Sequence, residues 1–346
     1  MGRQWQLRNK ESFINYVKIE LQLLKQEWKI LLPCTIMQYL HAIFHNLAYY
    51  IQGNELAIEQ RFTLYDLGFE LLPEIHGFAA SLSDILVFAV IFAPAIFLVL
   101  TIPFAKQEPG RPRYLVIVLK RCLMQLSICL VLRILSFLAT ALPSPADHCE
   151  LKFNDACMQA NPDNPIPCVV PNPNFKPPGT DQLLTRIDSL NGCGDLMFSS
   201  HTIYTVSLIL TMWKYWLNKY GLALMVSIQI VIAFLIVASR KHYTLDVYSA
   251  LYIVPLIWFT LEAYYKDINH KDSEVTVKTI YDFYGVDVSS DADDGAVPLY
   301  PTEGTPNSTA PLNPSVHVTM TEDESTNGER SDPDHTTTSF QRKNSL

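Results

Sequence analysis

Six long apolar stretches, at about residues 30–51, 79–104, 114–142, 197–217, 221–239 and 245–264, limit what this chain can fold into. Crossing the hydrocarbon core of a bilayer takes about 20 apolar residues of helix. Inside that core every backbone polar group must find its partner within the chain. The third stretch holds Arg121 and Arg133 and is the least clean by hydropathy. A large soluble helical core is the rival reading and fits poorly. Asp84 is the only charge between His76 and Lys106, and 221–239 has none. The expected fold is an all-α polytopic membrane protein with six transmembrane helices. The chain then divides into an N-terminal segment 1–29, a six-span domain 30–266 and a tail 267–346.

Composition supports that division. The tail is rich in Asp, Glu, Ser, Thr, Pro and Asn and reads as disordered. It supplies much of the net charge of −8, which therefore says little about the membrane part. No basic stripe with interleaved aromatics is present, so a nucleic-acid partner is not expected. Residues 1–29 carry scattered charges and no apolar core, so no cleavable signal peptide is expected either. Lys and Arg bias orients the spans. Arg3, Arg8, Lys10, Lys18, Lys25 and Lys29, then Lys106, Arg111 and Arg113, then Lys214 and Lys219, mark three cytosolic segments. Both termini are then cytosolic. The first loop, with Arg61 among five acidic residues, and the long third loop at about 143–195 face the lumen or the exterior. Trp213, Tyr215, Trp216 and Tyr220 read as an interfacial aromatic belt. The sequon Asn307-Ser308-Thr309 lies in the cytosolic tail and should stay unmodified.

Cysteine placement agrees. Cys34, Cys122 and Cys129 fall in spans, whereas Cys149, Cys157, Cys168 and Cys193 all fall in the third loop. Four cysteines allow three pairings, and an oxidising compartment favours one or two disulfides there. A zinc site is the alternative, but no CxxC pair is present. The loop is Pro-rich and reads as a structured cap with little helix or strand.

Two polar islands open apolar runs on the lumenal side, Cys193 through Thr202 and Ser239 through Val247. Polar residues at the mouth of a membrane helix are costly and mark a task. A neutral imidazole can attack phosphorus or move a proton. His201 lies about one turn inside one span, and His242 just before another. Asp246 follows His242 by four residues, a spacing that shares one face if both are helical. A carboxylate there fixes the imidazole tautomer and leaves the other nitrogen free to attack. Arg240 and Lys241 break the positive-inside trend, which a bound phosphate would explain. Arg133, about nine residues inside the lumenal end of its span or roughly 14 Å of helix, needs a partner or a ligand. Asp195 either caps the following helix or joins the site. The candidate catalytic residues are His201, His242 and Asp246. The candidate substrate contacts are Asp195, Ser199, Ser200, Arg240, Lys241, Tyr243 and Arg133.

These islands resemble the sphingomyelin synthase family of sphingolipid synthases. That family's third motif is Cys-Gly-Asp, three residues, then Ser-Gly-His-Thr; here it is Cys193-Gly194-Asp195, then Ser199-Ser200-His201-Thr202. The fourth, His-Tyr-Ser/Thr-x-Asp-Val, is similar to His242-Tyr243-Thr244-Leu245-Asp246-Val247. An earlier motif, Tyr-Arg and later Thr-x-Leu-Pro-x-Pro, resembles Leu132-Arg133 and Thr140-Ala141-Leu142-Pro143-Ser144-Pro145. Ser200 departs from the family's Gly and resembles the plant-type inositol phosphorylceramide synthases. Those are also similar at Ala238-Ser239-Arg240-Lys241-His242-Tyr243 and at Asp66-Leu67-Gly68-Phe69-Glu70-Leu71-Leu72-Pro73-Glu74. Glu27-Trp28-Lys29 and Gln38-Tyr39-x-His41 are similar too. The resemblance covers about residues 20–266, with a longer cysteine-bearing loop. More distantly, the paired histidines resemble lipid phosphate phosphatases.

The resemblance implies a transferase that moves phosphoinositol from phosphatidylinositol to the primary hydroxyl of ceramide, with His201, His242 and Asp246 as its triad and a His nucleophile. Its partners are the phospholipid donor and the ceramide acceptor; self-association as a homo-oligomer is left open. It implies no metal and no cofactor, and a site facing the Golgi lumen, with the endoplasmic reticulum or plasma membrane as alternatives. The other readings are phosphocholine or phosphoethanolamine transfer to ceramide, a lipid phosphate phosphatase, and a non-catalytic membrane scaffold.

Overall fold

The computed structural model describes residues 10–105, 112–186, 192–216, 218–265 and 267. The tail beyond Asp267, the sequon, and the basic residues Arg3, Arg8, Lys106 and Arg111 lie outside them. The chain is built on helices: α1 (Lys10–Asn54), α2 (Leu67–Leu71), α3 (Phe78–Thr101), α4 (Leu115–Ala139), α5 (Asp155–Ala160), α6 (Ser200–Tyr215), α7 (Lys219–Ala238) and α8 (Thr244–Tyr264). Four of them are long and apolar enough to cross a membrane: α3 with the turn that follows it, α4, α7 and α8. The other two expected spans fall in α1 and α6, and each departs from its expected bounds.

α1 runs 45 residues, roughly 67 Å at the helical rise. It lies parallel to α4, and their contacts fix the register. Tyr16 stacks on Tyr114 with ring centroids 6.0 Å apart. Glu20 accepts the Leu115 and Val116 amides at 2.6 and 3.0 Å. Lys120 pairs with Glu27 at 2.9 Å. The Ser127 hydroxyl donates to the Cys34 carbonyl at 3.3 Å, and Arg133 meets His41. Tyr114 supplies no side-chain cap to α4, so Glu20 satisfies the free amides of that helix's first turn and faces the positive end of its dipole.

α6 has only 16 residues, about 24 Å of helix, against an expected span of 197–217. Met197 and Phe198 adopt left-handed backbone, at φ 83° and 59°, and hold the helix start back to Ser200. It packs against α3, α4, α7 and α8, so most of its side chains are buried. Three apolar clusters fill the space between helices. One joins α1, α4 and the end of α6 through Leu23, Ile117 and Tyr215. The second joins α4, α6 and α8 through Leu126, Val206 and Trp258. The third joins α3, α6 and α7 through Val87, Ile209 and Ile236. Tyr215 and Trp216 belong to the first cluster rather than to an exposed aromatic belt.

The segment between α4 and α6 forms the expected cap, with two-residue strands β1 (Lys152–Phe153) and β2 (Val169–Val170) paired antiparallel and the short α5. Of the three possible cysteine pairings it uses Cys149–Cys193 and Cys157–Cys168. His148 gathers with Cys149 and Cys193, but those two sulfurs are bonded to each other and offer no thiolate to zinc. The cap rests on the end of α1: the Tyr49 hydroxyl accepts the Lys176 amide at 2.8 Å. The Asn46 side chain donates to the Leu183 and Arg186 carbonyls at 3.0 and 2.8 Å.

Candidate active site

The loop before α6 carries the first polar island, and it is pinned at every second or third residue. The disulfide to Cys149 holds Cys193. Gly194 has φ 84°, where a side chain would be strained. A Cβ there would also stand 2.9 Å from the Ala48 carbonyl. Arg133 reaches up from α4 and spends both terminal nitrogens of its guanidinium on this loop. Its Nη2 donates to the Asp195 carbonyl at 2.6 Å and to the Asp195 carboxylate at 2.5 Å. Its Nη1 donates to the Met197 carbonyl at 3.2 Å and to that of Phe198, and its Nε faces His41 Nε2 at 3.3 Å. The other face of the Asp195 carboxylate meets His45 Nδ1 at 2.9 Å. Burial alone would raise the Asp195 pKa, but the charges of His45 and Arg133 outweigh it and hold the carboxyl well below its ordinary range. Asp195 therefore does not cap α6; Ser199 occupies that position, and its hydroxyl is buried and makes no capping bond.

The second island enters from the turn between α7 and α8. His242 lies two residues outside α8, and Asp246 sits in its first turn. Their proximity thus comes from the way the chain enters the helix rather than from a shared helical face. His242 Nδ1 is 3.5 Å from Asp246 Oδ2, longer than a hydrogen bond. Catalytic contacts are often loose in a free enzyme and tighten with substrate. Asp246 is 1% exposed and joins the two islands. Its Oδ1 accepts the Met197 amide at 3.0 Å, its Oδ2 the Tyr243 amide at 3.2 Å, and its carbonyl the Ser199 amide at 3.0 Å. The His201 and His242 rings stand edge to face with centroids 5.6 Å apart. Around them the His201 Nδ1, the His242 Nδ1 and the Ser199 and Thr202 hydroxyls are buried without a hydrogen-bond partner among the described residues. His242 Nδ1 faces the Asp246 carboxylate, whereas the two hydroxyls with the free amides of the α6 N-terminus form a set of donors suited to an anion.

His201, His242, Asp246, Ser199 and Ser200 are thereby brought together, with Asp195 and Arg133 beneath them. Arg240, Lys241 and Tyr243 turn their side chains elsewhere. Lys241 pairs with Asp84 at 2.6 Å and donates to the Ser83 hydroxyl at 2.9 Å. The lone acid of the second apolar stretch thus explains the cation that broke the positive-inside trend. Arg240 donates to the Phe69 and Leu72 carbonyls at 2.8 and 3.2 Å and stacks over the Phe69 ring. The Tyr243 hydroxyl donates to the Pro143 carbonyl at 2.8 Å and accepts the Leu64 amide at 3.0 Å. Burial pushes its pKa up to about 12, so it stays a donor. His45, which the motifs did not flag, belongs to the same network. Its sequence signal was a second histidine four residues after His41, on one face of an apolar helix.

A facing His pair, His242 buried and His201 half-buried, with a carboxylate, set at the N-terminus of a short central helix within apolar spans, defines a multi-pass helical membrane protein of the PAP2 type. Residues 192–264 match the family described as PAP2 superfamily C-terminal. The chain is similar to phosphatidylinositol:ceramide inositolphosphotransferase 2 of Arabidopsis thaliana, 33% identical over 252 residues, which cover 73% of this chain and 75% of the relative. To inositolphosphotransferase 3 of the same plant it is 30% identical over 256 residues, 74% of this chain and 80% of the relative. To the phosphatidylinositol:ceramide inositolphosphotransferase of Oryza sativa subsp. japonica it is 33% identical over 247 residues, covering 71% and 68%. The chain belongs to the phosphatidylinositol:ceramide inositolphosphotransferase family.

Proposed function

We infer that this protein transfers phosphoinositol from phosphatidylinositol to the primary hydroxyl of ceramide, giving inositol phosphorylceramide and diacylglycerol. The observation that carries the reading is the facing pair His201 and His242 with Asp246 behind His242, in a chain whose relatives bear that activity in their names. His242 presents Nδ1 to Asp246, which leaves Nε2 to attack phosphorus. The phosphorus–oxygen bond to diacylglycerol breaks, and His201 protonates the departing alkoxide. The phosphoinositol group is then carried on His242. In the second step His201 takes the proton of the ceramide hydroxyl, whose oxygen attacks phosphorus, and the phosphorus–nitrogen bond breaks. The proton that His201 gave in the first step is returned in the second. Each transfer contributes about 10²–10⁴-fold. The α6 amides with Ser199 and Ser200 hold the phosphate oxygens. Arg133 and Asp195 hold the loop that presents them, and Arg240, Lys241 and Tyr243 hold the wall on the other side.

The same reading carries six spans, cytosolic termini and a site facing the Golgi lumen. The grouping of the site, the cap and both disulfides at one end of the helices supports it, since disulfides persist in that kind of compartment. Membranes containing His242→Ala, given labelled ceramide and phosphatidylinositol, should make at least about 10³-fold less product than wild type at equal abundance and localisation. Robust residual transfer by that variant contradicts the role given to His242.

A further inference from the structure

Asp66 lies in the segment between α1 and α3, far in sequence from both islands. Its Oδ1 accepts the Gly68 amide at 2.7 Å and so caps α2. The same oxygen accepts the Thr244 hydroxyl at 2.6 Å, and Oδ2 accepts the Thr244 amide at 2.7 Å. Thr244 is the first residue of α8, two after His242 and two before Asp246. Tyr243, at the cap position of α8, makes no side-chain capping bond. One carboxylate therefore caps two helices, and the second is the one that carries the catalytic aspartate.

The neighbourhood is fitted to that contact. A Cβ on Gly68 would overlap the Thr244 hydroxyl and stand 3.1 Å from Val237. Phe69 stacks on Tyr243 with centroids 5.5 Å apart. The Ile75 amide donates to the Ala238 carbonyl at 3.1 Å. The two bonds from Thr244 to Asp66, at 2.6 and 2.7 Å, are shorter than the others that tie residues 64–75 to residues 238–244. Because His242 is outside α8 and Asp246 inside it, no continuous helix sets their separation. It is set at Tyr243 and Thr244, where the chain turns into the helix, and Asp66 holds that turn from outside.

We propose that Asp66 is a positioning residue for the transfer reaction, fixing the entry into α8 and through it the placement of His242 against Asp246. The proposal rests on the function inferred above. Full-length wild type, Asp66→Ala, Asp66→Asn, Thr244→Val and Thr244→Ser are compared in reconstituted membranes with phosphatidylinositol and ceramide, with turnover expressed per folded molecule. Asp66→Ala should lower kcat about 10–100-fold, the scale of a catalytic group displaced by about 1 Å. KM for either lipid should stay within about twofold, since Asp66 touches neither. Thr244→Ser keeps the hydroxyl and should retain most of the turnover that Thr244→Val loses. The double variant Asp66→Ala/Thr244→Val should be no slower than Asp66→Ala, as expected for one shared contact. If Asp66→Ala does not fold, Thr244→Val carries the same comparison. Wild-type kcat in Asp66→Ala or Thr244→Val, or a loss confined to the folded fraction, overturns the proposal while the transfer reaction stands. A wild type that makes no inositol phosphorylceramide overturns the functional reading, and this proposal with it.

Discussion

Arg133 has five N–H donors, and all five are taken by His41, Asp195, Met197 and Phe198. In sequence it stood open between a phosphate ligand and a structural contact, and its geometry is that of a structural anchor. A lysine carries one ammonium and cannot span a carboxylate and three carbonyls at once. Arg133→Lys should therefore destabilise the protein by about 3–5 kcal/mol, the cost of breaking a buried pair. Thermal unfolding in detergent checks this, and an unchanged midpoint contradicts the anchor role. His201, His242 and Asp246 stand out in sequence because polar groups at span mouths are expensive, and cost is a local signal. Partners were not legible. Lys241 looked like a phosphate ligand only because Asp84, 157 positions away, is invisible to local reasoning. Asp66 shows the same limit, since only the fold brings it to Thr244.

At the scale of the helix, α1 is where the expected bounds and the helix differ most. Its large exposed apolar residues, among them Phe13, Val17, Leu21, Leu24, Trp28, Leu32, Ile36 and Leu40, recur every three or four positions. They form one stripe from residue 13 to 40, about 40 Å long. Glu20, Glu27, His41 and His45 lie off that stripe, against α4 and the site. A hydropathy window averages both faces, so these charges pushed the expected span out to 30–51. Under the six-span proposal, the register with α4, Glu20 against Leu115 and His41 against Arg133, predicts that α1 enters the bilayer about ten residues earlier. In sealed membranes lacking Cys34, Cys122 and Cys129, Leu24→Cys should resist an impermeant maleimide far better than Lys18→Cys. Equal labelling of the two supports the original bounds. Bounds were legible where a helix is apolar on every side, as α7 (Lys219–Ala238, against 221–239) and α8 (Thr244–Tyr264, against 245–264) show.

At the scale of the whole molecule, the ion pairs among the described residues gather near the two ends of the helices. At one end the site and its disulfide-linked cap gather around Arg133 and Asp246. At the other, Lys120 pairs with Glu27, and Lys214 pairs with Glu262 and Asp267 at 3.1 and 3.0 Å. Apolar clusters fill the space between, an arrangement that suits a bilayer, where unpaired charge is costly. The sequence disclosed that layering through its apolar runs. It could not say which helices are neighbours, because that follows from side chains meeting across a hundred residues or more. The identity of the group transferred decides what this protein does. Membranes of a host free of endogenous activity, carrying this protein, should be given labelled ceramide with phosphatidylinositol, phosphatidylcholine or phosphatidylethanolamine as sole donor. Inositol phosphorylceramide, with one diacylglycerol per product, should form from phosphatidylinositol alone. A ceramide product bearing choline or ethanolamine, or release of phosphate independent of ceramide, would contradict it.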